Sequence, residues 1–333
     1  MRWVMNRDRI ARKLVEVIGR KNVARLQSWV KYMITFKHIY RDGPMMSIGI
    51  KTVVFIIDGK TPHGGLSDRL RGLFSIYYYC KQKGYHFKIA WNYPFRLQDY
   101  LKPANENWIA EDWELASNRK MVSFRFFNSY SMMNNKEKDY FELLDFRKPI
   151  AHVYSNVTLH EELFPVLFNE LFVPVETLQH AVERNISKIG GEFYSMSFRF
   201  IGLLGDFKDK DSRFNELDDE ADKENYIEHC LNAIRNVYNA MSKKRKILVT
   251  TDSSLFLVRL DAIPYVYTIP GVVGHMDVDK NSYELHFKTF LDFIMISKAI
   301  KCYSYQYGKM YSATKFAKTA ALIGGKEYEV MKE

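Results

Sequence analysis

His63-Gly64-Gly65-Leu66-Ser67-Asp68-Arg69-Leu70-Arg71-Gly72 comes shortly after the apolar run Thr52 to Ile57. Lys51 to Ile57 reads as a strand, Asp68 to Lys83 as a helix and His86 to Trp91 as the next strand, with Gly84 breaking the chain between the last two. This is the start of a β-α-β unit. A right-handed crossover makes its strands parallel and sets the Gly64-Gly65 turn at the carboxyl edge of the first. Lacking side chains, Gly64 and Gly65 let backbone N–H groups approach an anion, and the helix start adds electrostatic support. Asp68, Arg69 and Arg71 could orient a polar ligand, with His63 as a hydrogen-bond partner. A tight turn alone explains the same glycine pair, because the spacing matches neither the Walker loop nor the dinucleotide fingerprint.

A second α/β unit follows. Tyr194, Met196 and Phe198 alternate with Ser195, Ser197 and Arg199 as in a strand; Tyr226 to Met241 reads as a helix and Ile247 to Thr250 as another strand. Pro264 to Ile269 and Ala299 to Tyr305 could add strands around a helix at Phe287 to Lys298. In the middle, Ile150 to Tyr154 reads as a strand, Leu159 to Phe168 as a helix and Leu171 to Glu183 as the passage between domains. Pro165 and Pro174 argue against one continuous helix there. The expected architecture is α/β: an N-terminal helical segment over residues 1–50, a Rossmann-like domain over 51–180 and another over 181–333, facing each other across a cleft.

With 333 residues and 47% hydrophobic content, the chain has material for two cores. The formal charge is +10, but cations and anions are intermixed except at Lys243-Lys244-Arg245-Lys246, where a solvated helix end competes with a polyanion site. No zinc finger, RNA-recognition aromatic pair or helix-turn-helix pattern accompanies the charge, so a specific nucleic-acid partner is not expected. Phosphate-bearing small ligands and an anionic membrane face fit it. Cys80, Cys230 and Cys302 show neither disulfide-framework nor zinc spacing, and there is no HExxH or paired-His motif, so a reducing compartment and no metal site are expected. No cleavable signal and no apolar stretch of membrane length is visible, which points to the inside of the cell. Ile10, Leu14, Val17 and Ile18 share one face of a basic amphipathic pattern with Arg9, Arg12, Lys13 and Arg20. Packing on its own domain and a reversible membrane contact both account for it.

Arg199 ends the alternating strand before Gly202-Leu203-Leu204-Gly205-Asp206. Its guanidinium fork could bind both oxygens of a diphosphate and neutralise a departing nucleotide. An ion pair with Asp206 is the structural alternative; Asp206 could also position Arg199 or meet a sugar hydroxyl. Thr251-Asp252-Ser253-Ser254 follows a strand, where Asp252 could accept from a base or sugar while the hydroxyls of Thr251 and Ser253 cap the next helix or expose N–H groups to phosphate. Tyr311, Ser312, Thr314 and Lys315 precede the helix-like run Ala317 to Ile323; Ser312 and Thr314 could bind phosphate there, with Lys315 supplying charge, and ordinary capping is the alternative.

These regions together resemble the GT-B glycosyltransferases, particularly inverting fucosyltransferases related to the nodulation and bacterial α1,2-fucosyltransferases. Gly64-Gly65-Leu66-Ser67-Asp68-Arg69 looks like their N-terminal glycine-rich motif, and Ser197-Phe198-Arg199 through Asp206 like the His-x-Arg region that contacts donor diphosphate, with Ser197 in place of the histidine. Thr251-Asp252-Ser253 resembles their donor loop, and Leu291-Asp292 through Ala299 followed by Ser312 their last nucleotide-binding region. The resemblance spans most of residues 51–325. It implies fucosyl transfer from GDP-fucose to a hydroxyl of a cell-surface glycan precursor, such as a lipid-linked polysaccharide or lipopolysaccharide intermediate, at the cytoplasmic face of a membrane and with no required cofactor. Arg199 would stabilise the leaving diphosphate, Asp252 would help recognise the donor, and Asp68 would orient the acceptor or act as base. Another nucleotide sugar as donor, or an inactive glycan- or nucleotide-binding protein, are the alternatives.

Overall fold

Six consecutive apolar or β-branched residues, Thr52–Ile57, form strand β1, buried along its whole length. Burial on both faces is what a central strand of a parallel sheet requires. The computed structural model describes residues 13–127, 137–205, 216–272, 282–312 and 314–333. The chain divides into two compact units: one holds the described residues up to Arg96 with Pro103–Leu163 and Leu167–Phe172, the other Leu97–Lys102, Phe164–Val166 and Val173–Glu333.

In the first unit, β1 is followed by β2 (His86–Trp91), β4 (Val122–Phe127) and β5 (Ile150–Ser155), while the short β3 (Leu101–Pro103) falls where the chain changes units. Four of these make a parallel sheet in the order β2-β1-β5-β4, with Thr52 paired to both His86 and Ile150. The helix Leu66–Lys83 joins β1 to β2 and ends at Gly84 in the left-handed conformation. Its close seat on β5 depends on Gly72, where a Cβ would lie 2.2 Å from the Ser155 carbonyl oxygen. Residues 13–18 and Arg20–Lys31 are helical, and Phe36 beyond them packs on Phe124 with ring centroids 4.6 Å apart. Phe36 and Tyr40 thereby join Val54, Ile56 and Tyr154 in one core. Leu14, Val17 and Ile18 are exposed, whereas Arg9, Ile10 and Arg12 lie outside the described residues.

The segment Leu171 to Glu183, expected as an inter-domain passage, is regular structure, and the change from the first unit to the second after Phe172 falls within it. It contains β6 (Phe172–Pro174), which pairs with β3, and most of the helix Glu176–Ile189, whose Leu178, Ala181, Val182 and Ile189 are buried at helical spacing. Upstream, the expected Leu159 to Phe168 helix begins later, over Phe164–Leu171, with Pro165 in its first turn, where a missing N–H costs nothing.

The second unit contains β7 (Tyr194–Phe198), β8 (Ile247–Thr251), β9 (Val266–Tyr267), β10 (Lys301–Gln306) and β11 (Glu327–Lys332), all parallel in the order β11-β10-β7-β8-β9. Helices Glu220–Ala240, Ser254–Leu260, Tyr283–Lys298 and Phe316–Ile323 alternate with them. Met196, Phe198, Ile234 and Val249 lie in the core between sheet and helices. No helix among the described residues is long and apolar enough to cross a membrane.

Candidate functional site

The strand order of the second sheet makes β7 the first strand laid down, with β8 and β9 to one side and β10 and β11 to the other. Such a reversal opens a crevice at the carboxyl ends of the flanking strands, the usual ligand position in α/β sheets. Arg199 follows β7 there. The next two residues turn sharply, and Ile201 sits at φ 60, a left-handed conformation that costs a β-branched residue about 1–2 kcal/mol. Asp252, just past β8 and buried, holds this turn: Oδ1 accepts the Phe200 N–H at 2.8 Å and Oδ2 the Ile201 N–H at 2.8 Å. The same Oδ2 lies 3.1 Å from Nη1 of Arg199, whose side chain keeps 24% exposure. Three donors compensate the carboxylate for lost water, so it positions the arginine and its loop. Asp252, expected to meet a base or sugar, is thus seen to hold the arginine and its loop.

The other predicted groups gather along this edge. The Tyr311 N–H donates to the Arg199 carbonyl at 3.2 Å, tying the segment after β10 to the one after β7. Thr251 Oγ1 accepts from the Ser253 N–H at 3.2 Å, and Ser253 Oγ caps the next helix by accepting the Phe256 N–H at 3.1 Å. Helix capping, one of the two readings of these hydroxyls, is thus seen directly. Ser197, at the position of the family histidine, hydrogen-bonds Thr250 across the strands at 2.7 Å. Exposed Ser312, half-buried Thr314 and exposed Lys315 lead into the helix Phe316–Ile323. Asp206 lies outside the described residues; among the described residues Arg199 pairs with Asp252. Asp292 of the last resemblance motif is buried against Lys288 at 2.5 Å, and burial pushes its carboxyl above the usual range despite that ammonium.

The carboxyl edge of the first sheet is built differently. Gly64 has φ 72, and a Cβ on it would meet Asp68 Oδ2 at 2.6 Å; Gly65 is the N-cap of the following helix. Arg69 is buried and donates through Nε to the Gly64 carbonyl at 2.9 Å and through Nη1 to that of Tyr93 at 2.7 Å, with its guanidinium over the Trp91 ring. A side chain so enclosed braces the turn. Arg71, also buried, pairs with Glu161.

Sequence reading missed Asp58, the first residue after β1, although a carboxylate directly behind a buried strand is a usable signal. It accepts from the Tyr154 hydroxyl at 2.9 Å and the Lys60 N–H at 3.0 Å, and His63 lies 3.8 Å away, its ring stacked on Tyr154. Burial opposes ionisation of Asp58, but His63, the Lys60 amide and ammonium, and the Tyr154 hydroxyl overcome it and hold the carboxyl down at about 2. Deeper in, the Tyr40 hydroxyl meets His152 Nδ1 at 2.6 Å while His152 Nε2 meets the Glu114 carbonyl at 2.7 Å. The carbonyl can only accept, so Nε2 carries the proton and Nδ1 accepts from Tyr40. Burial lowers the pKa of His152 to about 4.

No protein-family model and no characterised protein sequence matches the chain. Solved structures do. NodZ α1,6-fucosyltransferase from a crystal soaked with GDP-fucose aligns over 82% of this chain and 92% of its own at 13% identity, with a TM-score of 0.55. Fucosyltransferase NodZ from Bradyrhizobium aligns over 83% of this chain and 94% of its own at 13% identity, TM-score 0.54. A point mutant of Arabidopsis thaliana FUT1 in complex with GDP aligns over 91% of this chain and 74% of its own at 11% identity, TM-score 0.56. At these identities the likeness is one of architecture, and the chain has the GT-B fucosyltransferase-like fold.

Proposed function

We propose that the chain is an inverting glycosyltransferase that moves fucose from GDP-fucose to a hydroxyl of a cell-surface glycan precursor. The observation that carries this reading is Arg199: a partly exposed guanidinium, held by a buried carboxylate, at the strand reversal between β7 and β10. The fold likeness supports it, since the similar structures are fucosyltransferases crystallised with GDP-fucose or GDP.

In this reaction the acceptor oxygen bonds to the anomeric carbon as the bond from that carbon to the diphosphate oxygen breaks, and its electron pair leaves on GDP. Arg199 stabilises that developing charge, which is worth most in a preorganised site. Ser312, Thr314, Lys315 and the N–H groups beside them complete the phosphate contacts. Thr251, Ser253 and Tyr311 shape the donor loop, Asp206 meets a donor hydroxyl, and no obligatory metal is involved. His63, Gly64, Gly65 and Asp68 serve the acceptor side, with Arg69 bracing their turn and Asp68 taking the hydroxyl proton. The N-terminal segment contacts the inner face of the cell membrane, where a lipid-linked acceptor resides.

Calorimetric titration with GDP-fucose, GDP-mannose and UDP-glucose, followed by acceptor-dependent GDP release, tests this. GDP-fucose should bind tightest and release GDP only with an acceptor. Preference for another donor makes the chain a different transferase, binding without turnover over a broad acceptor panel makes it a binding protein, and failure to bind any nucleotide sugar overturns the reading.

A further inference from the structure

We propose that the outer edge of the first sheet carries a second anion site, which seats the phosphate of an anionic membrane lipid. β4 is an edge strand, and the helix Arg20–Lys31 lies along it, Ser28 Oγ accepting the Phe126 N–H at 3.1 Å. Beside them is a cavity of ≈ 550 Å³ lined in part by Arg25, Trp29, Tyr32, Arg119, Arg125 and Lys148. That volume suits a small polar ligand.

Two of the cations in this cavity, Arg125 and Lys148, hydrogen-bond to peptide carbonyls. Arg125 donates to the carbonyls of Leu143 at 3.1 Å, Phe124 at 3.0 Å and Asp145 at 2.5 Å, and Lys148 donates to the carbonyls of Val122 at 3.0 Å and of Arg119. Peptide carbonyls satisfy donors but leave the charge. Of the two acidic side chains in the lining, Glu142 is bound by Lys21 at 2.6 Å and Asp145 lies beside Arg125; Arg119 reaches Asp42 at 3.5 Å on the surface. Both cations are half-buried, and burial lowers their pKa; repulsion from Arg25 adds to it on Arg125 against the pull of Asp145, and repulsion from Arg125 and Arg119 adds to it on Lys148 against the pull of Asp42. An entering anion relieves that repulsion.

The surroundings select a lipid over a free phosphate. Trp29 on the lining is 58% exposed, and Leu26, Val30 and Ile34 continue an apolar row at four-residue spacing, Ile34 being 73% exposed. Val23, Ala24 and Ser28 of the same helix are already buried. Exposed aliphatics, an indole and cations side by side make the pattern of a bilayer interface, where aliphatics enter the acyl boundary and cations meet phosphates. The site lies on the first unit alone and requires nothing of the donor reading.

Cosedimentation of the full chain with phosphatidylcholine vesicles, with and without phosphatidylglycerol, is the test. Phosphatidylglycerol should strengthen binding at least about tenfold, and added salt should erase the gain. Arg25→Glu with Arg119→Glu should remove about tenfold or more of that affinity while GDP-fucose binding and the melting temperature hold; if the pair fails to fold, Arg25→Gln alone should weaken binding in the same direction. Trp29→Ala should weaken binding to both vesicles. Equal partition into the two compositions, or undiminished binding by folded charge variants, overturns the proposal. So does binding of inorganic phosphate without vesicle binding, or a dimer that Trp29→Ala dissociates, which would make this face an interface between copies.

Discussion

At the carboxyl edge of the second sheet a carboxylate is buried and a guanidinium reaches the surface, whereas at that of the first the guanidiniums are buried and a carboxylate is half-buried. Asp252 is enclosed under Arg199; Arg69 and Arg71 are enclosed beside Asp58 and Asp68. Both edges have a parallel sheet and a strand reversal, so topology alone does not set ligand chemistry. What decides it is where the arginines spend their donors. Arg69 donates to the Gly64 carbonyl of its own turn and to the Tyr93 carbonyl past β2, while Arg199 contacts a carboxylate and keeps part of its side chain exposed. Under the proposed function, this contrast assigns the acceptor hydroxyl to the first edge and the diphosphate to the second.

The sharpest way to break this contrast is to remove the presented charge. Arg199→Ala should lower kcat by about 10²–10³, the cost of losing one preorganised partner to transition-state charge, with little change in melting temperature. Asp252→Asn should cost activity and about 2–3 kcal/mol of stability, because it weakens the carboxylate that holds the strained Ile201 turn. Turnover with saturating donor and thermal melts of both variants separate the two roles. Equal kcat in Arg199→Ala would place leaving-group stabilisation elsewhere.

Acid sharpens the contrast from the other side. His152 is held neutral, with a pKa of about 4 against 6.5 for a free ring. Between those values the unfolded chain binds a proton that the folded ring refuses, so stability falls as pH falls and the loss levels off once the folded ring also protonates. The first unit should lose about 3 kcal/mol from pH 7 to 4. Asp58 acts in a lower window: its stabilisation is full above the usual carboxylate range and disappears as pH falls through about 2. Melts of His152→Gln, which removes the titration and keeps a donor for the Glu114 carbonyl, should show a flatter slope between pH 6.5 and 4. An unchanged slope would assign the acid sensitivity to other groups.

Much of this frame is legible in the sequence because its elements are long and periodic. β1, β2, β7, β8 and their helices announce themselves through apolar runs, alternation and Gly84. The edge strand Glu327–Lys332 escapes because its alternation of Tyr328 and Val330 with Glu327 and Glu329 is short and mostly exposed. The helix Glu176–Ile189 is hidden by Pro174, which ends β6 just ahead of it. At the sites, Arg199 is legible from its place behind an alternating strand, but the job of Asp252 is not, since it rests on contacts to residues about fifty positions away. Arg69 misleads for a related reason: a guanidinium beside two glycines looks the same in sequence whether it faces a ligand or the turn's own carbonyls.

The smallest effect separates turn from ligand at that glycine pair. Gly64, at φ 72, is a position where a side chain costs about 1–2 kcal/mol, and Gly64→Ala should lower the urea midpoint accordingly. Gly65 differs: its φ is −73, and a Cβ there would have nothing of the protein within 4 Å. Gly65→Ala should therefore change stability little, because the freedom lost by the unfolded chain is offset by alanine's poorer fit at this N-cap. If an acceptor passes close to this backbone, the added methyl will raise KM for acceptor while KM for donor and the urea midpoint hold. Unchanged kinetics in Gly65→Ala would mean that the glycine pair serves the turn alone and that the first edge receives its ligand through Asp58 and Asp68.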